Sequence, residues 1–221
     1  MLSTDLHIHT NFSKDGESSV QQIIAAASNA GLDAIAITDH DTMDGYRTAQ
    51  AISSGILIIP GIEISTREGH LIALGIDSPP ESGQPVLDTI QEVRDAGGVT
   101  ILPHPFHRYR HGVALRCHEA LYEADAIEIY NSRYVFAHAN RHAMKLANKL
   151  GRPVVAGSDA HHARFVGYGR TMIDAERDVG SILDAIKEGR ATPAGKKTPI
   201  RYYTKQSLRN SWRKIRGKVR K

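Results

Sequence analysis

Apolar residues in this chain gather into short runs, and the segments between the runs carry helical spacing. Residues 6–10, 34–38, 99–102, 126–130 and 153–156 are compact apolar runs of the kind that form buried strands. Residues 56–65 read as another strand, interrupted at Pro60-Gly61, with 70–76 close enough to pair with it and 169–173 as one more. Val20, Ile23, Ile24 and Ala27 recur at helical spacing up to Gly31, and a helix is expected over 44–52. Val86, Ile90 and Val93 mark a helix ended by Gly97-Gly98, 138–150 one ended by Gly151, and Ile182, Leu183 and Ile186 one ended by Gly189. Residues 79–85 and the His- and Arg-rich 106–117 read as loops. Repeated strand–helix units of this length predict an α/β barrel or open parallel sheet, with a site at the carboxyl ends of the strands.

Polar residues fall where that scaffold needs them. His7, His9, His40, Glu63, His104, Asp159 and His161 lie at or just past strand ends, His70 starts a strand, and Asp15 sits in the first loop. His7 and His9, two apart, leave one face of a strand together. A single histidine at a strand end is usually a hydrogen-bonded structural residue. Six histidines and three carboxylates converging on one rim form a metal-binding set of imidazole and carboxylate donors. That mix suits Zn²⁺, Mn²⁺ or Fe²⁺ rather than a thiolate zinc site.

Composition narrows the picture. The 221 residues are enough for one sizeable domain, and 41% hydrophobic content is that of a globular protein. The single cysteine, Cys117, excludes an internal disulfide and fits a reducing compartment. No signal peptide or membrane-spanning run is evident, so a cytoplasmic protein is expected. The net charge of +4 is unevenly spread: of 28 Lys and Arg, 11 lie from Lys196 onward, where there is no Asp or Glu. The preceding 195 residues carry 17 basic against 24 acidic residues, about −7. In the tail, Leu208, Trp212, Ile215 and Val219 form one stripe of a helix surrounded by Arg209, Arg213, Lys214, Arg216 and Lys218. This stripe either docks on the domain or belongs to an arm that binds nucleic acid; its short apolar face disfavours a membrane.

Asp5-Leu6-His7-Ile8-His9-Thr10, Thr38-Asp39-His40-Asp41, Gly61-Ile62-Glu63-Ile64-Ser65, Pro103-His104-Pro105 and Gly157-Ser158-Asp159-Ala160-His161 resemble, in order, the successive motifs of the PHP (polymerase and histidinol phosphatase) family. The resemblance runs from residue 1 to about 173. It implies an α/β fold, a distorted (β/α)7 barrel with two or three divalent metal ions (Zn, Mn or Fe) at its carboxyl rim, and metal-dependent phosphoesterase activity. The expected organisation is a PHP domain over 1–193 and a basic helical C-terminal extension over 194–221. Carried over position by position, His7, His9, Glu63 and Asp159 would hold one metal. Glu63 would bridge to a second completed by His70 and His104, and Asp15, His40 and His161 would hold a third. Glu63, Asp15 and His161 are thereby the expected catalytic set. Here Lys14 separates Ser13 from Asp15, whereas many members place the loop carboxylate directly after the serine.

The expected chemistry follows from charge: cations neutralise the phosphoester oxygens and lower the pKa of a shared water. Lys14 and Arg133 are candidate phosphate-binding residues. Asp39, Asp41, Glu128 and Asn131 are expected to orient the histidines. The substrate is expected to be a phosphorylated small molecule, a nucleotide or short RNA, with nucleic acid contacted through the basic tail. An amidohydrolase-like hydrolase also uses His-x-His on a barrel strand, but no lysine here ends a strand to bridge its metals. A non-catalytic metal-binding PHP module is the third alternative, disfavoured because every expected ligand position is filled.

Overall fold

A computed structural model describes residues 1–52, 55–107, 110–133 and 137–199. The expected tail helix therefore lies outside the described residues. Among the described residues, ten strands form two five-stranded mixed sheets. The first has the order β10-β9-β1-β2-β3, from β1 (Leu2–Ile8), β2 (Ala34–Ile37), β3 (Leu57–Ile59), β9 (Gly169–Ile173) and β10 (Ala191–Gly195). The second has the order β4-β5-β6-β7-β8, from β4 (Gly61–Ser65), β5 (His70–Leu74), β6 (Val99–Leu102), β7 (Ala126–Asn131) and β8 (Val154–Gly157). The helices that connect them are α1 (Val20–Asn29), α2 (Asp44–Gln50), α3 (Val86–Asp95), α4 (Ala120–Glu123), α5 (Ala137–Leu150) and α6 (Val179–Lys187). Among the described residues no helix is long and apolar enough to cross a membrane.

The sheets are not wholly parallel. β5 runs antiparallel to β4 and β6, and β9 antiparallel to β1 and β10. No continuous ladder closes the described strands into a barrel. Two single parallel bridges, Ile8↔Ala160 and His40↔Glu63, join the sheets instead. The split at Pro60-Gly61 is where the chain changes sheets, because proline has no N–H to carry a ladder onward. A Cβ on Gly61 would lie 2.8 Å from the Ile37 carbonyl oxygen, so only glycine lets the crossing strand come this close.

Three features depart from the sequence pattern. β1 begins at Leu2, four residues early, because Leu2, Ser3 and Thr4 pair with Ile173, Met172 and Thr171. α4 is too short to show a helical period. β10 contains Pro193, which is tolerated on an edge strand, and it runs across the 193/194 junction where a domain boundary was expected.

The core explains the arrangement. Leu6, Ala36, Ile59, Ile72, Leu74, Ile101, Ala126, Val155 and Ile173 bring both sheets into one apolar cluster, and Ile182, Leu183 and Ile186 of α6 pack into it. α1 covers the outer face of β1 and β2 through Ile23, Ile24 and Ala27. Its start is fixed by a reciprocal cap, in which Ser19 Oγ accepts from the Gln22 N–H and the Gln22 side chain accepts from the Ser19 N–H. α3, α4 and α5 cover the second sheet. Since α6 follows a strand antiparallel to β1, it seals the end opposite the strand ends that carry His7, His40, Glu63, His104 and Asp159.

Ile182 is fully buried in that seal. Ile182→Ala is expected to lower unfolding free energy by roughly 2–5 kcal/mol, read from the denaturant midpoint, while the specific activity of the folded protein stays near that of the parent.

Candidate metal centre

Most site residues are delivered by strands or by the turns that follow them. His7 lies in β1 and His9 immediately after it; their rings are 5.2 Å apart. β4 carries Glu63 in its middle, β5 starts with His70, and His104 and Asp159 follow β6 and β8. Asp15 comes from the loop before α1, and its Oδ2 lies 3.0 Å from His161 Nε2. The fold thus brings His7, His9, Asp15, His40, Glu63, His70, His104, Asp159 and His161 together at one rim.

Glu63 is the centre of the group. Its Oε2 lies 3.5 Å from His7 Nε2, 3.2 Å from His9 Nε2 and 3.2 Å from His40 Nδ1. Its Oε1 lies 3.0 Å from His70 Nδ1 and 3.1 Å from His104 Nε2. Asp159 Oδ1 sits 3.6 Å from His9 Nε2 and 3.3 Å from His161 Nδ1. Burial opposes ionisation of both carboxyls. The imidazoles around Glu63, and the Arg110 and Arg133 guanidiniums with His7 and His161 around Asp159, outweigh it and hold both well below the usual range. Burial likewise disfavours a charged His7, but Glu128, Asp159 and Glu63 hold it well above an ordinary imidazole. Burial pushes His9, His40, His104 and His161 down, and the neutral ring is the form that donates a lone pair to a cation.

The donor set fits divalent cations. Among the described residues, four triplets have ligand atoms within 4.8 Å of one another: His7–His9–Glu63, His7–His104–Asp159, His40–Glu63–His70 and His9–His40–His161. His7 Nε2, His9 Nε2 and His104 Nδ1 are buried without a hydrogen bond to protein, an arrangement costly for polar atoms unless another partner takes the lone pair. His104 groups with His7 and Asp159, and Asp15 joins none of the triplets.

A supporting set of polar residues aims the rings. Glu128 Oε1 holds His7 Nδ1 at 3.0 Å while Oε2 accepts from the His104 N–H at 2.8 Å and from Asn131 Nδ2 at 2.9 Å. Asp39 touches no ring directly. It accepts from the Thr10 N–H, the Thr10 hydroxyl and the Ser13 hydroxyl, and Ser13 Oγ in turn lies 3.1 Å from His9 Nδ1. Asp41 departs from the expectation: its carboxylate accepts from the Ser65 N–H and hydroxyl, so it fixes the β2–β4 seam rather than a histidine. Three of the non-glycine residues in left-handed backbone, Asp41, His104 and Asp159, lie at this rim with φ of 55°, 34° and 51°. Each such conformation costs on the order of 1–3 kcal/mol, and the packing around the rim must supply it.

Of the expected phosphate-binding residues, Arg133 is at the site, 3.0 Å from Asp159 Oδ1, and Lys14 is exposed beside Asp15. Arg110 was missed. It hydrogen-bonds Asp159 Oδ2 from inside the aperiodic 106–117 segment, where the only available signal was an excess of His and Arg.

A family model described as PHP-associated matches residues 137–191. An uncharacterised protein of Methanocaldococcus jannaschii is 29% identical over 143 residues, covering 59% of this chain and 82% of that protein. The phosphoribosyl 1,2-cyclic phosphate 1,2-diphosphodiesterase of Eggerthella lenta is 33% identical over 91 residues, 38% of this chain and 33% of that enzyme. Among solved structures, a two-domain protein from Bacteroides vulgatus containing a predicted PHP-like metal-dependent phosphoesterase superposes with a TM-score of 0.75 at 24% identity, over 88% of this chain and 65% of that one. A mixed α/β fold with a histidine–carboxylate rim defines the class. The chain is similar to PHP proteins in its fold and, over residues 137–191, in its sequence.

A Cβ on Gly157 would lie 2.4 Å from His7 Cβ and 2.6 Å from Glu128 Oε1. Gly157→Ala is therefore expected to cost about 1–3 kcal/mol of stability in thermal melts, whereas Gly180→Ala, whose Cβ meets nothing closer than 3.4 Å, should be neutral or stabilising.

Proposed function

We propose that the protein is a divalent-metal-dependent phosphoesterase whose reaction centre is the rim cluster around Glu63. The observation that carries this reading is a buried carboxylate surrounded by five imidazoles, three of whose buried nitrogen atoms lack a protein hydrogen bond. His7, His9, Glu63 and Asp159 would hold one ion, Glu63, His70 and His104 a second, and Asp15, His40 and His161 a third. The bound cations would neutralise a phosphoester's oxygens and supply a hydroxide nucleophile near neutral pH. We read the two bridged sheets as a PHP-type distorted barrel opened along its seams.

The chain's own residues do the rest. Glu128, hydrogen-bonded to His7 and to the His104 N–H, and Ser13, at His9, fix ring orientation. Arg110 and Arg133 converge on Asp159 from the mouth of the site. With Asp159 shared with a cation, the two guanidiniums would stand beside an incoming phosphate, whose oxygens their planar shape fits. Lys14, exposed on the neighbouring loop, would add a mobile positive charge. A phosphodiester or phosphomonoester fits this arrangement, whether carried by a small molecule or a nucleotide. An amidohydrolase-like reaction is less well supported, because among the described residues no lysine stands within the cluster.

Purified protein should carry at least two divalent ions per chain by elemental analysis, and added Mn²⁺ or Zn²⁺ should raise its melting temperature. Glu63→Ala should lower hydrolysis of 4-nitrophenyl phosphate or its diester on the order of 10³-fold, given the several kcal/mol that such cations supply. A folded variant with parental turnover would refute the reading. Arg110→Ala should reduce kcat/KM by roughly 10–100-fold, the loss of charged hydrogen bonds of about 1.5–3 kcal/mol, while metal content stays unchanged.

A further inference from the structure

The segment between β6 and α4 carries an imidazole that the metal centre does not use. Arg110 and His111 are consecutive, yet they reach different flanks of the rim. Arg110 hydrogen-bonds Asp159 after β8, and the His111 ring lies 5.2 Å from the ring of His70 at the start of β5. In the second sheet β6 and β7 stand between those strands, so the pair spans the rim past His104. Backbone contacts hold the span in place. The His111 carbonyl accepts from the His70 N–H at 3.0 Å, and a Cβ on Gly69 would collide with that carbonyl. A Cβ on Gly112 would lie 2.7 Å from the His104 carbonyl oxygen, and the next residues, Val113 and Ala114, are fully buried in the core.

The position itself is strained. His111 has left-handed backbone, with φ of 53°, a conformation that glycine or asparagine adopts more easily. The other described non-glycine residues in that conformation have side chains bonded within the rim: Asp41 to Ser65, His104 to Glu63, and Asp159 to both arginines. The His111 side chain is exposed, makes no hydrogen bond among the described residues and belongs to none of the ligand triplets. Strain kept at a side chain without an internal bond points to contact with something outside the chain. A neutral imidazole offers one N–H donor and one lone pair, and a hydroxyl group matches both. With a phosphate at the cations and the two guanidiniums, the organic part of the ester would leave the rim toward solvent, where His111 is exposed.

We propose that His111 is a specificity-determining residue that hydrogen-bonds a hydroxyl on the organic part of the substrate, selecting the sugar of a sugar phosphate or nucleotide over a plain alkyl or aryl group. This deepens the phosphoesterase reading and rests on it. The test compares the Mn²⁺-loaded parent with His111→Gly, which relieves the backbone, and His111→Asn, which tolerates it and keeps a donor and an acceptor. Turnover is measured on ribose 5-phosphate, adenosine 5′-phosphate, propyl phosphate and 4-nitrophenyl phosphate. Calorimetry gives Kd for the non-hydrolysable phosphonate analogues of ribose 5-phosphate and propyl phosphate. In His111→Gly the preference for both sugar-bearing esters over propyl phosphate is expected to fall roughly 3–10-fold, the worth of one neutral hydrogen bond. The loss should lie in KM and in the phosphonate Kd, with the melting temperature at or above that of the parent. His111→Asn should recover part of the preference. A parent without that preference, or a preference unchanged in His111→Gly, overturns the proposal. So does an equal loss on all four esters, which with a lower melting temperature would make His111 a packing support for His70. A loss confined to adenosine 5′-phosphate and 4-nitrophenyl phosphate also overturns it, in favour of ring stacking. If the parent hydrolyses none of the four, the phosphoesterase reading fails, and the ratio of phosphonate Kd values still decides whether His111 reads a hydroxyl.

Discussion

The rest of the structure depends on a carboxylate that has been taken out of water. Glu63 is 1% exposed, and an isolated ion there would be driven to neutralise. It stays charged because five imidazoles from both sheets surround it. The His40↔Glu63 bridge joins the sheets at that point, and the Ile8↔Ala160 bridge joins them again between the His7–His9 pair and the Asp159–His161 pair. Where the backbone ladder stops, side-chain electrostatics continue the connection. The same contacts that assemble the histidine–carboxylate cluster tie the two sheets together.

That double duty explains the strain. His104 and Asp159 turn through left-handed backbone just as their strands end, which swings their side chains back over the rim. Glu128 accepts from the His104 N–H, and Asp159 donates its own N–H to the His7 carbonyl at 2.8 Å, so both turns are hydrogen-bonded in place. Asp5, buried beneath them, accepts from the Ser158 and Gly167 N–H groups. Burial pushes its carboxyl up to about 6 in spite of those bonds.

How much of this could be read in advance varied with the kind of signal. Strand positions followed from apolar runs, and His7, His9, Glu63, His104 and Asp159 stood out because each interrupts or terminates such a run. Pairing direction was only partly legible: the four-residue link between Ser65 and His70 allows only an antiparallel pair, whereas nothing in Gly169–Ile173 says that it runs antiparallel to β1. β10 was hidden by Pro193, since a proline reads as a boundary unless the strand is known to be an edge. Arg110 lies in a stretch without period, so its approach to Asp159 depends on the loop's tertiary path. Asp41 looked like a partner for the adjacent His40, yet its left-handed backbone turns the carboxylate to Ser65.

The apolar plug built from both sheets and α6 has a kinetic consequence. Leu6, Ile72, Ile101 and Val155 lie along the strands below the site residues, and Ile182 and Ile186 close the far end. The rim cluster therefore rests on an apolar floor. For the phosphoesterase proposed above, substrate and phosphorylated product would both pass the rim side and its guanidiniums. In that reaction product inhibition would be built in, and turnover would become a question of how quickly an anion is released as well as how quickly a bond is cut.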